Sequence, residues 1–475
     1  MLSPRRSELK LSKSFFAGCL VLLFYAPHSQ GQSATVNWNS RDQEIDGFGA
    51  ASVGVTLTTA QAEFFFSTGS GSLGLSLLRT EVPDDGSCST INTTCAGQVT
   101  DMQLAITNGA RVWSAPWSPP ASMKSNGTTL CHTGSDYGSL LSGSYASYAA
   151  YLANYVKSLS SLYGINLYAL SVQNEPDYCP IKYDGAAWTA ANLDEFIKAN
   201  LGPAFAADGV AGTLIMMPET SNWTSSWAGF TSTATTTMED PAAAAYVGIN
   251  AWHDYDDAPS IVNPFAAQGK KFWETEVSAG PGYGPSLCDG CWDPSIADAL
   301  MWAQIVNNRM TAANANAWNY WQLIGTDSNG GLGQFDGGVL NASGFTVAKR
   351  AYMLGNYSKF VRPGYYRIDA TPVPRSGVLV SAYKSPSSGS LVIVVINQNS
   401  SSVSQSFTLN GTAASTVTPW VTSATFDLAR QSDVDVIDGS FTYSLAGSSI
   451  TSFVGDTTTS SVAPTPPTRL AAAVR

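Results

Sequence analysis

The chain has 475 residues, 44% of them hydrophobic and only 12% charged, with a formal net charge of −11. That length exceeds one average domain, and the apolar fraction supplies an ample core. The acidic balance argues against nucleic acid and anionic membrane surfaces as partners, because both reward clustered Lys and Arg.

At the N-terminus, residues 1–31 read as a signal peptide. Arg5, Arg6, Lys10 and Lys13 form a basic region, Phe15 to Tyr25 is apolar, and Ser29 and Gly31 are small enough for cleavage near Gly31. The apolar run falls short of the roughly 20 residues that a membrane span takes, and no later segment reaches that length. A retained N-terminal anchor is the alternative to secretion. Of the 7 cysteines, Cys19 lies in this leader, leaving Cys88, Cys95, Cys131, Cys179, Cys288 and Cys291 for disulfides in a secreted chain. Cys88 with Cys95, and Cys288 with Cys291, are near enough to close small loops. The Cys288-Asp289-Gly290-Cys291 run lacks the second Cys pair that a zinc site needs. With only 3 histidines in the chain, no multi-histidine metal site and no cofactor are expected. Asn92, Asn126, Asn222, Asn341, Asn356, Asn399 and Asn410 stand in glycosylation sequons, which matter only in a glycosylating host.

Over residues 43–359, short apolar strands alternate with helical periods. Strands are expected at Ile45–Ala50, Leu75–Val82, Arg111–Ala115, Tyr168–Gln173, Thr213–Met217, Val247–Trp252, Lys271–Glu276 and Ala315–Trp321. The clearest helix repeats Tyr148, Tyr151, Leu152, Tyr155, Val156, Leu159 and Leu162 at helical spacing, and another is expected from Pro294 to about Asn314. Such alternation implies parallel pairing, and eight units imply an α/β fold, a (β/α)8 TIM barrel. An open doubly wound sheet would show a Gly-rich phosphate turn after its first strand, and none is convincing here.

From residue 360 to 455 the texture changes to short alternating strands. They are expected at Val378–Tyr383, Leu391–Ile396, Val403–Leu409, Ala424–Leu428, Val434–Ile437, Phe441–Leu445 and Ile450–Val454, and Ser388-Gly389, Asn410-Gly411 and Asp438-Gly439 supply turns between them. This is the pattern of a β-sandwich side domain, to which Ala34–Trp38 can add an edge strand. Residues 456–475, rich in Thr, Ser, Pro and Ala, carry no core pattern and are expected to be disordered.

Two glutamates fall at tips of this strand pattern. Glu175 ends Leu170-Ser171-Val172-Gln173-Asn174-Glu175 on strand 4, and Glu276 ends Phe272-Trp273-Glu274-Thr275-Glu276 on strand 7. Strands 4 and 7 face each other across a barrel whose functional end is the strand C-termini. A carboxylate pair roughly 5–5.5 Å apart is what a retaining glycosidase uses, one protonating the leaving oxygen and one attacking the anomeric carbon. Asn174 stands where it can hydrogen-bond a sugar 2-hydroxyl. Taken singly, either glutamate could close a loop or pair with an arginine; together at matching strand ends they point to catalysis. Glu274 shares a strand face with Glu276 and should lie one layer deeper, needing an arginine or a hydrogen-bond partner. Glu219, ending strand 5, could rim the cleft. Trp117, His253, Tyr255, Trp318 and Trp321 lie at strand ends as candidate sugar platforms, and Tyr255 could also hydrogen-bond the nucleophile.

The runs Gln43-Glu44-Ile45-Asp46-Gly47-Phe48-Gly49-Ala50, Trp117-Ser118-Pro119-Pro120, Asn174-Glu175-Pro176-Asp177, Trp273-Glu274-Thr275-Glu276 and Tyr357-Ser358-Lys359-Phe360-Val361-Arg362-Pro363-Gly364-Tyr365 resemble glycoside hydrolase family 30 in matching order. The resemblance implies a barrel with a side β-domain, Glu175 as acid/base and Glu276 as nucleophile. It also implies that Arg79 on strand 2 supports the nucleophile. The family includes xylanases, β-1,6-glucanases, β-1,6-galactanases and glucosylceramidases. Its glucuronoxylan-cleaving members carry an arginine after strand 8 for the glucuronate branch; here Asn319-Tyr320-Trp321-Gln322-Leu323-Ile324-Gly325-Thr326 has none. A β-linked polysaccharide with a neutral backbone, xylan first, is the expected partner. A secreted carbohydrate-binding protein on a dead barrel is the rival class, and retention of both glutamates weighs against it.

Overall fold

The computed structural model describes residues 33–86, 93–133, 136–224, 228–255, 263–278, 292–325, 330–338, 340–412 and 414–456. The expected signal peptide, the tail beyond Asp456, and Cys88, Cys288 and Cys291 lie outside these residues. Among the described residues, no helix is long and apolar enough to cross a membrane.

Eight strands close into a parallel barrel: β1 Gly47–Ala51, β2 Leu77–Val82, β3 Arg111–Pro116, β4 Ala169–Ser171, β5 Leu214–Thr220, β6 Val247–His253, β7 Lys271–Glu276 and β8 Ala317–Gln322. Each pairs with its sequence neighbours, and β8 returns to β1 through Ala317 opposite Gly47. Gly47 and Gly49 are needed there. A Cβ on Gly49 would stand 2.3 Å from the Leu77 carbonyl, so only glycine lets the first two strands approach. Inward side chains fill the bore with Leu77, Trp113, Met216, Ile249 and Trp273, and the Trp113 and Trp273 rings meet edge-on at 6.1 Å. The outer faces pack on helices such as Tyr145–Tyr163, which buries Tyr148, Leu152, Tyr155, Val156 and Leu159 and ends at Gly164 in the left-handed conformation (φ 69°). Leu162, expected on that apolar stripe, is exposed.

Residues beyond the barrel form two sheets. One holds Ala34–Asn37, Val403–Asn410 and Ser440–Leu445, with the N-terminal strand parallel to its neighbour. The other runs through Tyr366–Ile368, Val378–Lys384, Ser390–Asn397, Ser449–Asp456, Thr416–Thr422 and Ala429–Arg430. Along Ser390–Asn397 the alternation serves two cores: Leu391, Ile393 and Val395 face the sandwich interior, whereas Val392, Val394 and Ile396 join the barrel's outer core. The strand expected at Ala424–Leu428 is absent. That stretch is a connection, and the strand is Thr416–Thr422, whose Pro419 sits in the ladder opposite Phe453. Asn356, one of the sequons, is fully buried, donating to the Trp420 carbonyl and accepting from Thr422, so the folded chain cannot be glycosylated there.

Candidate active site

The C-terminal ends of the strands depart from regular pairing. Register shifts fall between Pro218 and Thr220 on β5 and between Glu274 and Glu276 on β7, where an extra residue re-aims the side chains. The chain after β4 stays clamped by both neighbours. Val172 N–H donates to the Met216 carbonyl (3.0 Å), Asn174 N–H to Pro116 (2.8 Å) and Glu175 N–H to Glu219 (3.0 Å). Glu175 and Glu219 have φ of 46° and 56°. For residues with a Cβ this conformation is costly, about 1 kcal/mol or more each, and it persists where surrounding bonds over-determine it.

Arg79 is the hub. Fully buried on β2, its guanidinium donates to Glu276 Oε2, to Asn174 Oδ1 (2.6 Å) and to Glu219 Oε1 (2.7 Å). Tyr255 Oη donates to the other Glu276 oxygen at 2.9 Å. His253, at the end of β6, places Nδ1 3.1 Å from Glu175 Oε1 and Nε2 3.5 Å from Glu219 Oε1. One carboxylate oxygen of Glu175, one of Glu276 and one ring nitrogen of His253 all lie within 4.8 Å of one another. Burial works to neutralise His253, yet Glu276, Glu175 and Glu219 together push its pKa up to about 10. Burial likewise works to protonate Glu219, but Arg79 and His253 hold it below the usual carboxylate range. A cation could span the three residues by distance alone. An imidazolium has no lone pair to offer a metal, however, and Arg79 already supplies positive charge.

Three carboxylates therefore face two buried cations. Glu175 and Glu276 remain slightly exposed at 7% each. Carboxylates this close suit double displacement; inversion would need about 6.5–9.5 Å to admit a water between them.

Not every expected residue arrives. Trp117 and Trp321 flank the site, with rings 5.9 Å apart and the Arg79 guanidinium carbon 4.7 Å and 5.7 Å from them. Trp318 does not. It is fully buried in the outer core against Trp302, because residues three apart on a strand point to opposite faces. His253 reaches the site but is fully buried behind the carboxylates, so it cannot be a stacking platform. Glu274 does not share the face of Glu276: it stands in register with Trp252 and Trp318 on the outer side, because the register shift between the two glutamates reverses the alternation, and its Oε2 accepts the Asn319 N–H (2.8 Å); burial and Asp254 raise its pKa well above the usual range. Glu219 is not at the rim: it is 0% exposed and lies beneath Arg79 and His253. Sequence reasoning passed over Tyr183, whose hydroxyl donates to Glu175 Oε2 at 3.3 Å from an irregular loop that carries no periodic signal.

Comparison with known proteins agrees with this architecture. The family model described as the glycosyl hydrolase family 30 TIM-barrel domain matches residues 98–346, and that of the family 30 beta sandwich domain matches residues 364–453. Glucuronoxylanase XynC of Bacillus subtilis is 32% identical over 435 residues, covering 90% of this chain and 92% of its own length. The lysosomal acid glucosylceramidase of Mus musculus is 25% identical over 319 residues, 62% of this chain and 57% of its own. Among solved structures, the family 30 subfamily 8 xylanase Xyn30A from Clostridium acetobutylicum superposes with a TM-score of 0.76 at 34% identity, covering 89% of this chain and 99% of its own. A GH30 endoxylanase from Clostridium papyrosolvens C71 gives 0.74 at 32%, covering 89% and 100%. With both domains matched in order and a relative of this identity spanning nearly its whole length, the chain belongs to glycoside hydrolase family 30 and is a retaining glycosidase.

Proposed function

We infer that this protein is a secreted hydrolase of a β-linked polysaccharide with a neutral backbone, xylan first, with Glu276 as nucleophile and Glu175 as acid/base. The observation that carries the reading is the approach of the two carboxylates within 4.8 Å at the C-terminal end of the barrel. Arg79 and Tyr255 hold Glu276 from both oxygens, which fixes its carboxylate for attack on an anomeric carbon. In the first step Glu276 attacks that carbon while Glu175 gives its proton to the leaving oxygen. In the second, Glu175 takes a proton from water, which attacks the glycosyl-enzyme and releases Glu276 with net retention. Asn174, its carbonyl oxygen held by Arg79, keeps its amide N–H groups for a sugar hydroxyl. Trp117 and Trp321 offer apolar faces to a sugar ring.

Xylan is supported by the likeness to the glucuronoxylanase XynC and to the two clostridial xylanases. Independence from glucuronate is supported by the missing arginine in residues 319–326. Secretion is supported by the N-terminal pattern and by the disulfide between Cys131 and Cys179. Product analysis on xylans with and without glucuronate, β-1,6-glucan and β-1,6-galactan tests the reading. Equal release from both xylans is expected, whereas cleavage of only the glucuronate-bearing xylan, or of only a 1,6-linked polymer, would overturn it.

A further inference from the structure

The loops that follow β3 and β4 are joined as one body beside Glu175. Cys131 of the first is bonded to Cys179 of the second. His132 N–H donates to the Pro180 carbonyl (3.2 Å), Gly185 N–H to Thr129 (3.0 Å) and Ala187 N–H to Gly138 (2.9 Å). The Lys124 ammonium, buried between the loops, donates to the carbonyls of Gly185, Thr129 and Leu130 at 2.5, 2.8 and 3.0 Å. Such cross-bonding is more than an ordinary surface loop needs. It lowers the cost of ordering on binding.

What this rigid body presents is aromatic. Tyr178 and Tyr183 are 48% and 42% exposed, and their rings lie 6.5 Å apart. Tyr183 reaches the acid/base itself, donating to Glu175 Oε2 at 3.3 Å. Trp117, at the very start of the β3 loop, and Trp321 gather over Arg79 instead. An acid that protonates a leaving oxygen sits over the bond to the departing sugar, so aromatic groups attached to its flank lie where that sugar must pass. Beside them, burial and then the neighbouring carboxylates push the Glu81 pKa up to about 7 and raise that of Asp84, with Lys124 as a facing cation.

We propose that Tyr178 and Tyr183, mounted on the disulfide-joined loops after β3 and β4, form the binding surface for the departing part of the substrate, a run of β-linked sugars. This rests on the assignment of Glu175 as acid/base. The rings cover the apolar faces of those sugars, and the cross-link keeps the surface in place as each product leaves.

The test compares kcat/KM of wild type and Tyr178→Ala on linear xylohexaose and on a nitrophenyl β-xylobioside, whose departing group is a single ring. For Tyr178→Ala, KM for xylohexaose is expected to rise about three- to tenfold with kcat little changed, lowering the hexaose-to-aryl ratio by the same factor. The paired Cys131→Ser, Cys179→Ser variant should lower that ratio as well, and a ratio equal to wild type would overturn the role of the cross-link. Because Tyr178 is half exposed, its melting temperature should match wild type. A ratio unchanged in Tyr178→Ala, whether both activities fall together or neither falls, overturns the proposed surface while leaving the catalytic pair intact. A wild type that cleaves neither substrate overturns both readings.

Discussion

The two ends of the barrel bore carry similar residue types and do opposite things. At the N-terminal end a single buried carboxylate, Asp46, meets a surplus of donors: Lys271 Nζ and the Tyr168 hydroxyl on one oxygen, Trp273 Nε1 at 2.8 Å on the other, and Arg111 at 3.9 Å. Its lone pairs are committed, and it ties the starts of several strands into a floor. At the C-terminal end Glu175, Glu219 and Glu276, besides hydroxyl donors, share two cations among the described residues, Arg79 and His253. There the carboxylates outnumber the cations and two of them open on the cleft. A buried ion cluster is structural when every charge is answered and becomes chemical when one is left over beside a space for substrate.

The largest test of that contrast is Glu276→Gln, expected to lower kcat by on the order of 10⁴-fold on both polymer and aryl glycoside, measured by reducing-sugar and chromophore release. Retained turnover would remove Glu276 as the nucleophile. Next is Glu175→Ala, expected to cost about 10²–10⁴-fold on polymer but far less on an activated aryl glycoside, whose departing group needs no proton. Equal losses would break its assignment as the acid.

His253 sharpens the comparison through pH. Its folded pKa of about 10 lies above the ordinary 6.5, so its protonation stabilises the fold fully below pH 6.5, and that contribution is lost as pH rises towards 10. The melting temperature of wild type minus that of His253→Gln should therefore fall across this window; a constant difference would show that the ring is not held as a cation. The smallest effect belongs to the floor. Asp46→Asn should cost about 2 kcal/mol in denaturant unfolding, less than a fully buried pair because Lys271 is partly exposed, and leave kcat within about twofold. A large loss of kcat there would mean that the two ends are coupled.

Much of the barrel was legible because β7 and its neighbours are short apolar runs punctuated by helical periods, a pattern that parallel strands buried on both faces must show. Lys271–Glu276 matches the expected strand residue for residue. The side domain was harder. Pro419 inside Thr416–Thr422 reads as a breaker, and the sequence cannot reveal that its missing N–H falls where the ladder tolerates it. Within the site, Trp318 was misplaced although the alternation along β8 was available: Ala317 and Trp321 lie by the bore, while Trp318 and Tyr320 face the helices.

By itself the sequence determined the order of strands, the change from barrel to sandwich and the two glutamates at facing strand ends, since these follow from periodicity and spacing along one chain. Tertiary structure alone decided that Glu219 and His253 are buried beneath the pair, that Tyr183 leans onto Glu175, and that Cys131 is bonded to Cys179 across 48 positions. Those relations depend on distances between segments remote in sequence, and a one-dimensional pattern carries no record of which loop lies against which.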